Sequence, residues 1–345
     1  MVHHPPAQDQ EVKPRISVLL PYRDAGETLA DALESLLAER GIGFEVIAID
    51  DGSCDGGPAA VQGIAARDSR VRMVTTPGVG IAAALARGAE ESCGELVARM
   101  DADDLSIPGR LAAQAALLDG DPRLGAVGTL VEAFPDETVG EGMRRYVAWL
   151  NALVSPEDHD RDLFVESPLC HPSVMMRREA LERAGGYREV DWAEDYDLWL
   201  RLHAAGFRLA KVPRVLLRWR QHARQATLCD PRYALPRFDG LKARYLAPRL
   251  LRAGRPLAVW GAGKTGKHLA RALEQEGVYA ELFVDIDPRK IGSTARGAPI
   301  VAPEGLSRGK HLVVVAVGAR GARALVRARL DAAGFVEGAD YLCAA

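Results

Sequence analysis

Four short clusters in this sequence hold residue types at spacings that could do chemistry. Asp101-Ala102-Asp103-Asp104 puts three carboxylates at the end of an extended segment. Hard oxygen ligands suit Mg²⁺ or Mn²⁺, which often take one or two protein carboxylates plus phosphate oxygens. A metal there could neutralise charge developing on a diphosphate leaving group. Read alone, the same acids serve equally well as a helix N-cap ahead of Ser106 and Pro108. Glu194, Asp195 and Asp197 cluster at an expected helix start, with Trp199 and Arg201 a turn further on. A carboxylate at a pocket rim could act as general base toward a hydroxyl, and acidic capping is the plainer alternative. Arg218, Arg220 and Arg224 surround His222 in a strand-like stretch, a cationic face apt for a diphosphate or simply for solvent. Gly261, Gly263 and Gly266 form a G-x-G-x-x-G turn, with Asp285 and Asp287 about 20 residues later, the layout of a dinucleotide-binding turn.

The elements that must position these groups alternate. Strand-like runs at 16–21, 44–53, 71–76 and 95–100 are separated by helical patterns at 27–40, 57–67 and 80–91, which implies a parallel sheet covered by helices. Ligands gather at the carboxyl ends of such strands, and both Asp50-Asp51 and the Asp101–Asp104 cluster fall there. A helix is expected over 108–119. Strands follow near 124–132, 172–177 and 208–220, with helices near 178–184 and 195–205. Segment 134–166 has no clear period and reads as a partly helical insertion over the site. The strand–helix rhythm restarts with 257–277, then a strand over 279–287, a strand over 311–318 and a helix over 320–333.

Length and composition bound the reading. The 345 residues are about two domains' worth. A hydrophobic share of 48% and a charged share of 26% fit a chain able to bury sizeable cores. The formal net charge of -3 argues against a nucleic-acid binder. Five scattered cysteines without a C-x-x-C pair read as reduced thiols in a cytoplasmic protein, not as a disulfide framework or zinc site. The polar, proline-rich start, with His3 and His4, reads as a disordered tail without signal-peptide character. No apolar run approaches the roughly 18–20 residues of a membrane span.

Taken in order, SVLLPYRDAGETLADALESLL, IDDGSCDG, ARMDADDLSIPGRLAAQ, CHPSVMMRREALERAGGY, AEDYDLWLRL and RWRQH resemble the family-2 inverting glycosyltransferases of GT-A fold, over roughly residues 16–225. The resemblance implies a metal-dependent transfer from a nucleotide-sugar, UDP by family frequency, to a glycan or lipid-linked acceptor. Pro21, Tyr22, Asp50 and Asp51 would receive the base and ribose, with Arg99, Asp101 and Arg220 on the donor side. Asp101 and Asp103 would bind Mn²⁺ or Mg²⁺, with His222 as a further ligand. Asp195 would be the base and Glu194 its supporting neighbour, and Trp199 and Arg201 would shape the acceptor side. Two departures touch the donor side: Arg23 and Asp24 follow Tyr22 where asparagine is common, and Ala86 replaces another common asparagine before Arg87-Gly88.

The chain thus divides into a tail (1–14), a GT-A domain (15–225), a basic connector expected to be helical (226–254) and a small Rossmann-like α/β domain (255–345). The connector's arginines alternate with Leu241, Tyr245, Leu246, Leu250 and Leu251. Such a segment could pack between domains or sit peripherally on an anionic membrane. The glycine turn could hold NAD(P), although a structural or oligomerising module is favoured; the oligomeric state is open. A NAD-dependent oxidoreductase acting through the C-terminal domain and a non-catalytic nucleotide-sugar-binding protein are the competing classes.

Overall fold

The computed structural model describes residues 13–223 and 225–345. The tail up to residue 12, with His3 and His4, and Arg224 lie outside the described residues. By their contacts the residues form two compact units. Among the described residues, one comprises the chain from residue 13 up to Phe134 with His171–Arg188 and Val212–Arg220; the other comprises Pro135–Cys170, Glu189–Lys211 and the rest of the chain from Gln221 on.

The first unit is built on strands β1 (Ile16–Tyr22), β2 (Phe44–Asp51), β3 (Val71–Thr76), β4 (Leu96–Arg99), β5 (Leu105–Ser106), β6 (Leu124–Phe134), β7 (Met175–Arg177) and, from Val212 on, β8 (Arg208–Arg220). Their order in the sheet is β3-β2-β1-β4-β7-β6-β8-β5. β1, β2, β3 and β4 run parallel, and β7 pairs antiparallel to β4. Every residue of β1 is buried, as expected for a strand covered on both faces. Helices α1 (Leu29–Leu37), α2 (Gly57–Ala65), α3 (Ile81–Glu91) and α4 (Arg110–Gly120) follow the strands in turn. The chain steps outward through β1, β2 and β3, then returns to the other side of β1 as β4. That reversal falls between β1 and β4, and open α/β sheets bind their ligands at the carboxyl ends of strands at such a point.

The second unit holds α5 (Glu141–Ala152) and α6 (Pro156–Asp162); α7 (Arg178–Arg183) belongs to the first. It continues with α8 (Glu194–Ala204), α9 (Ala226–Cys229), α10 (Leu235–Ala253), α11 (Lys264–Gln275) and α12 (Ala322–Ala332). Its sheet orders β9 (Leu257–Trp260), β10 (Ala280–Val284), β11 (Thr294–Ala295), β12 (Ala298–Val301), β13 (Leu312–Val315) and β14 (Tyr341–Cys343) as β11-β12-β10-β9-β13-β14. All pairs but the β11–β12 hairpin are parallel. This too is a doubly wound order, with its reversal between β9 and β13. Val165, from the segment read as an insertion over the site, is part of this unit's apolar core with Trp260, Phe335 and Tyr341. Lys242 of α10 is buried and donates to the carbonyls of Val165 (2.7 Å) and Ala344 (3.1 Å). In the connector, Leu241, Leu246 and Leu250 are buried, so the apolar side that a membrane surface would need is spent on packing; Leu251, at 61% exposure, is not. No helix among the described residues is long and apolar enough to cross a membrane.

Candidate active site

In the first unit, three adjacent strands deliver the expected donor-side residues to one edge. Tyr22 of β1 is the register partner of Asp50 of β2, and Arg99 closes β4 beside β1. Asp51 accepts hydrogen bonds from Thr76 Oγ1 (2.7 Å) and the backbone N–H groups of Val79 (2.7 Å) and Gly80 (2.9 Å). Burial alone would raise its pKa, but these bonds and the nearby Arg23 hold the carboxyl below its ordinary value. Asp51 is therefore a fixed anion that ties down the loop entering α3. Asp50 accepts from Ser53 N–H (3.0 Å). Tyr22 is buried, donates to Met73 Sδ (3.3 Å) and keeps its proton, because burial, then Asp50 and Asp55, push its pKa up. Arg23 and Asp24, the departures after Tyr22, sit in a tight turn: Asp24 has φ 51°, and its carboxylate accepts from Cys54 N–H (2.7 Å).

Beyond β4, the carboxylate oxygens of Asp101, Asp103 and Asp104 lie within 4.8 Å of one another. Arg99, almost wholly buried, forms an ion pair with Asp101. Asp104 is 1% exposed; its Oδ1 accepts from Arg220 N–H (2.7 Å), while its Oδ2 has no hydrogen-bond partner. Burial, then Asp101 and Asp103, push its pKa well above the usual carboxylate range. Arg220 also donates to the Asp103 carbonyl (2.6 Å), and its guanidinium stacks 4.5 Å from the Phe134 ring centre. Arg218 stacks on the same ring at 4.4 Å and faces Glu132 (3.4 Å). Capping does not account for the acids. Helix α4 begins only at Arg110, and its first turn is capped from afar by Glu39, which accepts from Gly109 N–H (3.0 Å) and Leu111 N–H (3.4 Å). An uncompensated buried carboxylate oxygen beside two further carboxylates is costly without a counter-charge. The donor set is all hard oxygen, so these residues fit a divalent cation of the Mg²⁺ or Mn²⁺ type.

In the second unit, the acids at the start of α8 diverge. Glu194 is 2% exposed and accepts the Tyr233 hydroxyl at 3.1 Å on both oxygens, with Arg232 at 3.9 Å. Asp197 is buried and accepts from Arg201 Nε (2.7 Å), Tyr245 Oη (2.9 Å) and Trp192 Nε1 (3.3 Å). Asp195 is only half-buried; its carboxylate accepts from Tyr196 N–H (2.7 Å) and Ser167 Oγ (3.5 Å). Of the three, Asp195 is the one a second substrate could reach. The two residues expected on the acceptor side lie inward: Trp199 is fully buried and Arg201 closes on Asp197. Ahead of α8, Glu189, Val190, Asp191 and Trp192, with Arg232, line a cavity of about 540 Å³. Trp192, just ahead of the Glu-Asp pair, could have been noticed as an aromatic beside an acid cluster. Arg232 and Tyr233, far along the chain, carried no signal. His222, which follows Gln221 into this unit, is half-buried.

The glycine turn is assembled as its spacing implied. Gly261 and Gly263 join β9 to α11, Gly266 lies in the first turn of α11, and Asp285, just past β10, accepts from Ala262 N–H (3.1 Å).

The family model described as Glycosyl transferase family 2 matches residues 17–185. The EpsE protein of Bacillus subtilis (strain 168), described as a glycosyltransferase, is 32% identical over 214 residues, spanning 60% of this chain and 73% of that protein. The Escherichia coli UDP-Gal:alpha-D-GlcNAc-diphosphoundecaprenol beta-1,3-galactosyltransferase is 27% identical over 207 residues, 59% of this chain and 73% of that one. Among solved structures, S. aureus TarS 1-349 in complex with UDP-GlcNAc superposes with a TM-score of 0.55 at 16% identity, covering 77% of this chain and 74% of that one. At that identity the likeness concerns the fold, which is the GT-A arrangement.

Proposed function

This chain belongs to glycosyltransferase family 2, and from that premise we propose that it is an inverting, metal-dependent enzyme. It moves a sugar from a nucleotide-sugar donor, taken as UDP-linked, to a glycan or lipid-linked acceptor. The observation that carries this reading is the trio Asp101, Asp103 and Asp104 with a buried, unpartnered Asp104 oxygen at the carboxyl edge of β4. A divalent cation held there would neutralise the diphosphate as it leaves. Arg99 and Arg220 hold the cluster in place, Pro21, Tyr22, Asp50 and Asp51 form the base and ribose end, and His222 is a further ligand on the family resemblance. Asp195, held by Tyr196 N–H and Ser167, takes the proton from the acceptor hydroxyl, which attacks the anomeric carbon opposite the leaving group. The galactosyltransferase relative, whose name gives a UDP-sugar donor and a lipid-linked acceptor, supports that choice of substrates. Trp192 and Arg232 are the acceptor-side residues in this reading, with Trp199 and Arg201 supporting α8 from within. Residues 15–225 are read as the GT-A domain, 226–254 as a connector and 255–345 as a Rossmann-like domain.

The test is metal-dependent donor binding. EDTA should abolish turnover of UDP-sugars, and Mn²⁺ or Mg²⁺ should restore it. Asp103→Ala should lose both turnover and the metal-dependent part of UDP affinity measured by calorimetry. Full turnover in EDTA would refute the metal assignment.

A further inference from the structure

The second unit has its own crevice, which the transferase reading does not use. It opens where β9 and β13 part, at the reversal point of the sheet, and widens into a cavity of about 510 Å³. That lies within the roughly 300–1,000 Å³ typical of small-molecule and cofactor sites. Its floor is the turn from Gly261 to Lys264, where α11 begins and the first N–H groups of the helix have no carbonyl a turn back to bind.

The three glycines of that turn are there for different reasons. Gly261 has φ +125°, and a Cβ on it would run into the Ala316 carbonyl. A Cβ on Gly266 would overlap the Gly261 carbonyl oxygen. The fold itself therefore requires both. Gly263 has φ -84° and ψ -169°, extended backbone open to any residue, and a Cβ there would meet nothing within 4 Å. Nothing in the protein asks for glycine at 263. The space above its Cα belongs to the cavity, and a ligand lying against the backbone would use it.

Charge and apolar surface are arranged to suit one kind of ligand. Lys264, Lys290 and Arg329 line the cavity; Arg329 pairs with Glu304, and the cavity's acid, Asp285, is engaged with Ala262 N–H and with Lys290 Nζ at 2.8 Å. At the walls stand Ile286, 68% exposed on the loop after β10, and Leu325, 74% exposed on α12. Large aliphatic side chains left open on both sides of one cavity would gain from covering by a flat ring.

We propose that this crevice is a second nucleotide site, binding a ligand with a diphosphate over Gly263 and the start of α11 and a base between Ile286 and Leu325. The chemistry is shared by dinucleotides and nucleotide sugars. The site stands independently of the transferase reading, because none of its residues belongs to the acid clusters.

Calorimetry on the full chain in EDTA, with ADP, NADH and UDP-glucose as probes, tests it, since EDTA silences metal-dependent binding elsewhere. At least one probe should bind with a stoichiometry of one and persist in Asp103→Ala. Gly263→Val, which fills the open space without a clash, and Lys264→Glu should each weaken that binding about tenfold or more with an unchanged melting temperature. Tightest binding by NADH marks a dinucleotide, tightest binding by UDP-glucose a nucleotide sugar, and equal binding with ADP the shared diphosphate. Absence of binding by all three probes, or wild-type affinity in both variants, would overturn the proposal.

Discussion

At the scale of single residues, the acids at the start of α8 are sorted by their partners. Glu194 is committed to Tyr233 and Asp197 to Arg201, Tyr245 and Trp192, whereas Asp195 keeps partial exposure. A base must reach the proton it removes before its pKa matters, and the partial exposure of Asp195 is what its proposed role needs. Asp195→Asn preserves size and a hydrogen-bonding side chain but removes basicity. It should lower kcat by about 10²–10⁴-fold, while calorimetric affinity for UDP stays within error of wild type. Weakened UDP binding with an intact rate would make Asp195 a donor ligand or a cap instead. Sequence reasoning reached these acids because charge clusters at element ends are local in the chain. It expected Trp199 and Arg201 to shape the acceptor side without knowing which face of α8 turns inward, where both side chains are buried. Glu39 as the distant cap of α4 was out of reach for a related reason: about 70 residues separate donor and acceptor, and no local pattern announces the pairing.

At the scale of elements, the long periodic segments were legible and the short ones were not. The strand over 71–76 and the strand over 208–220 have the limits expected from β-branched alternation. β5, β11 and β14 have two or three residues each and are strands only because a neighbour supplies their hydrogen bonds. The connector helix α10 was visible from its leucines, but their purpose was not. Two readings, interdomain packing and a membrane surface, use the same spacing, and only burial separates them. Leu246 is wholly buried and Leu251 is 61% exposed. Leu246→Ala should therefore cost about 2–5 kcal/mol in urea unfolding, and Leu251→Ala should stay within about 0.5 kcal/mol of wild type. Equal, small effects would mean that the leucine row is not a packing surface.

At the scale of the whole molecule, the restart of the strand–helix rhythm after residue 256 correctly announced a second doubly wound sheet. The segment 134–166 did not announce that it would help build that unit's core, because its apolar residues follow no period and their partners come from the far end of the chain. This borrowed segment receives a buried polar group from β8 whose effect on stability is global. Lys211 is 2% exposed and donates to the Leu150 carbonyl in α5, with buried His159 of α6 nearby. Burial pulls the Lys211 pKa down from 10.5 to about 7, although Cys170 and Asp158 oppose it. Burial, then Lys211, pulls His159 down from 6.5 to about 4. Both groups have folded pKa values below their unfolded ones, so the unfolded chain binds more protons and folding loses stability as the pH falls. For Lys211 the contribution is intact above 10.5 and is lost progressively down to about 7; for His159 the loss runs from 6.5 to about 4. Lys211→Met removes the first window while keeping an unbranched apolar side chain in place. Melting temperatures measured from pH 7 to 10 should show the variant ahead of wild type at pH 7, with the gap closing toward pH 10 as wild-type Lys211 unfolds without taking up a proton. A gap that stays constant across that range would mean that Lys211 keeps its charge inside the fold, with its ammonium held by the carbonyl of Leu150 and by neighbouring acids.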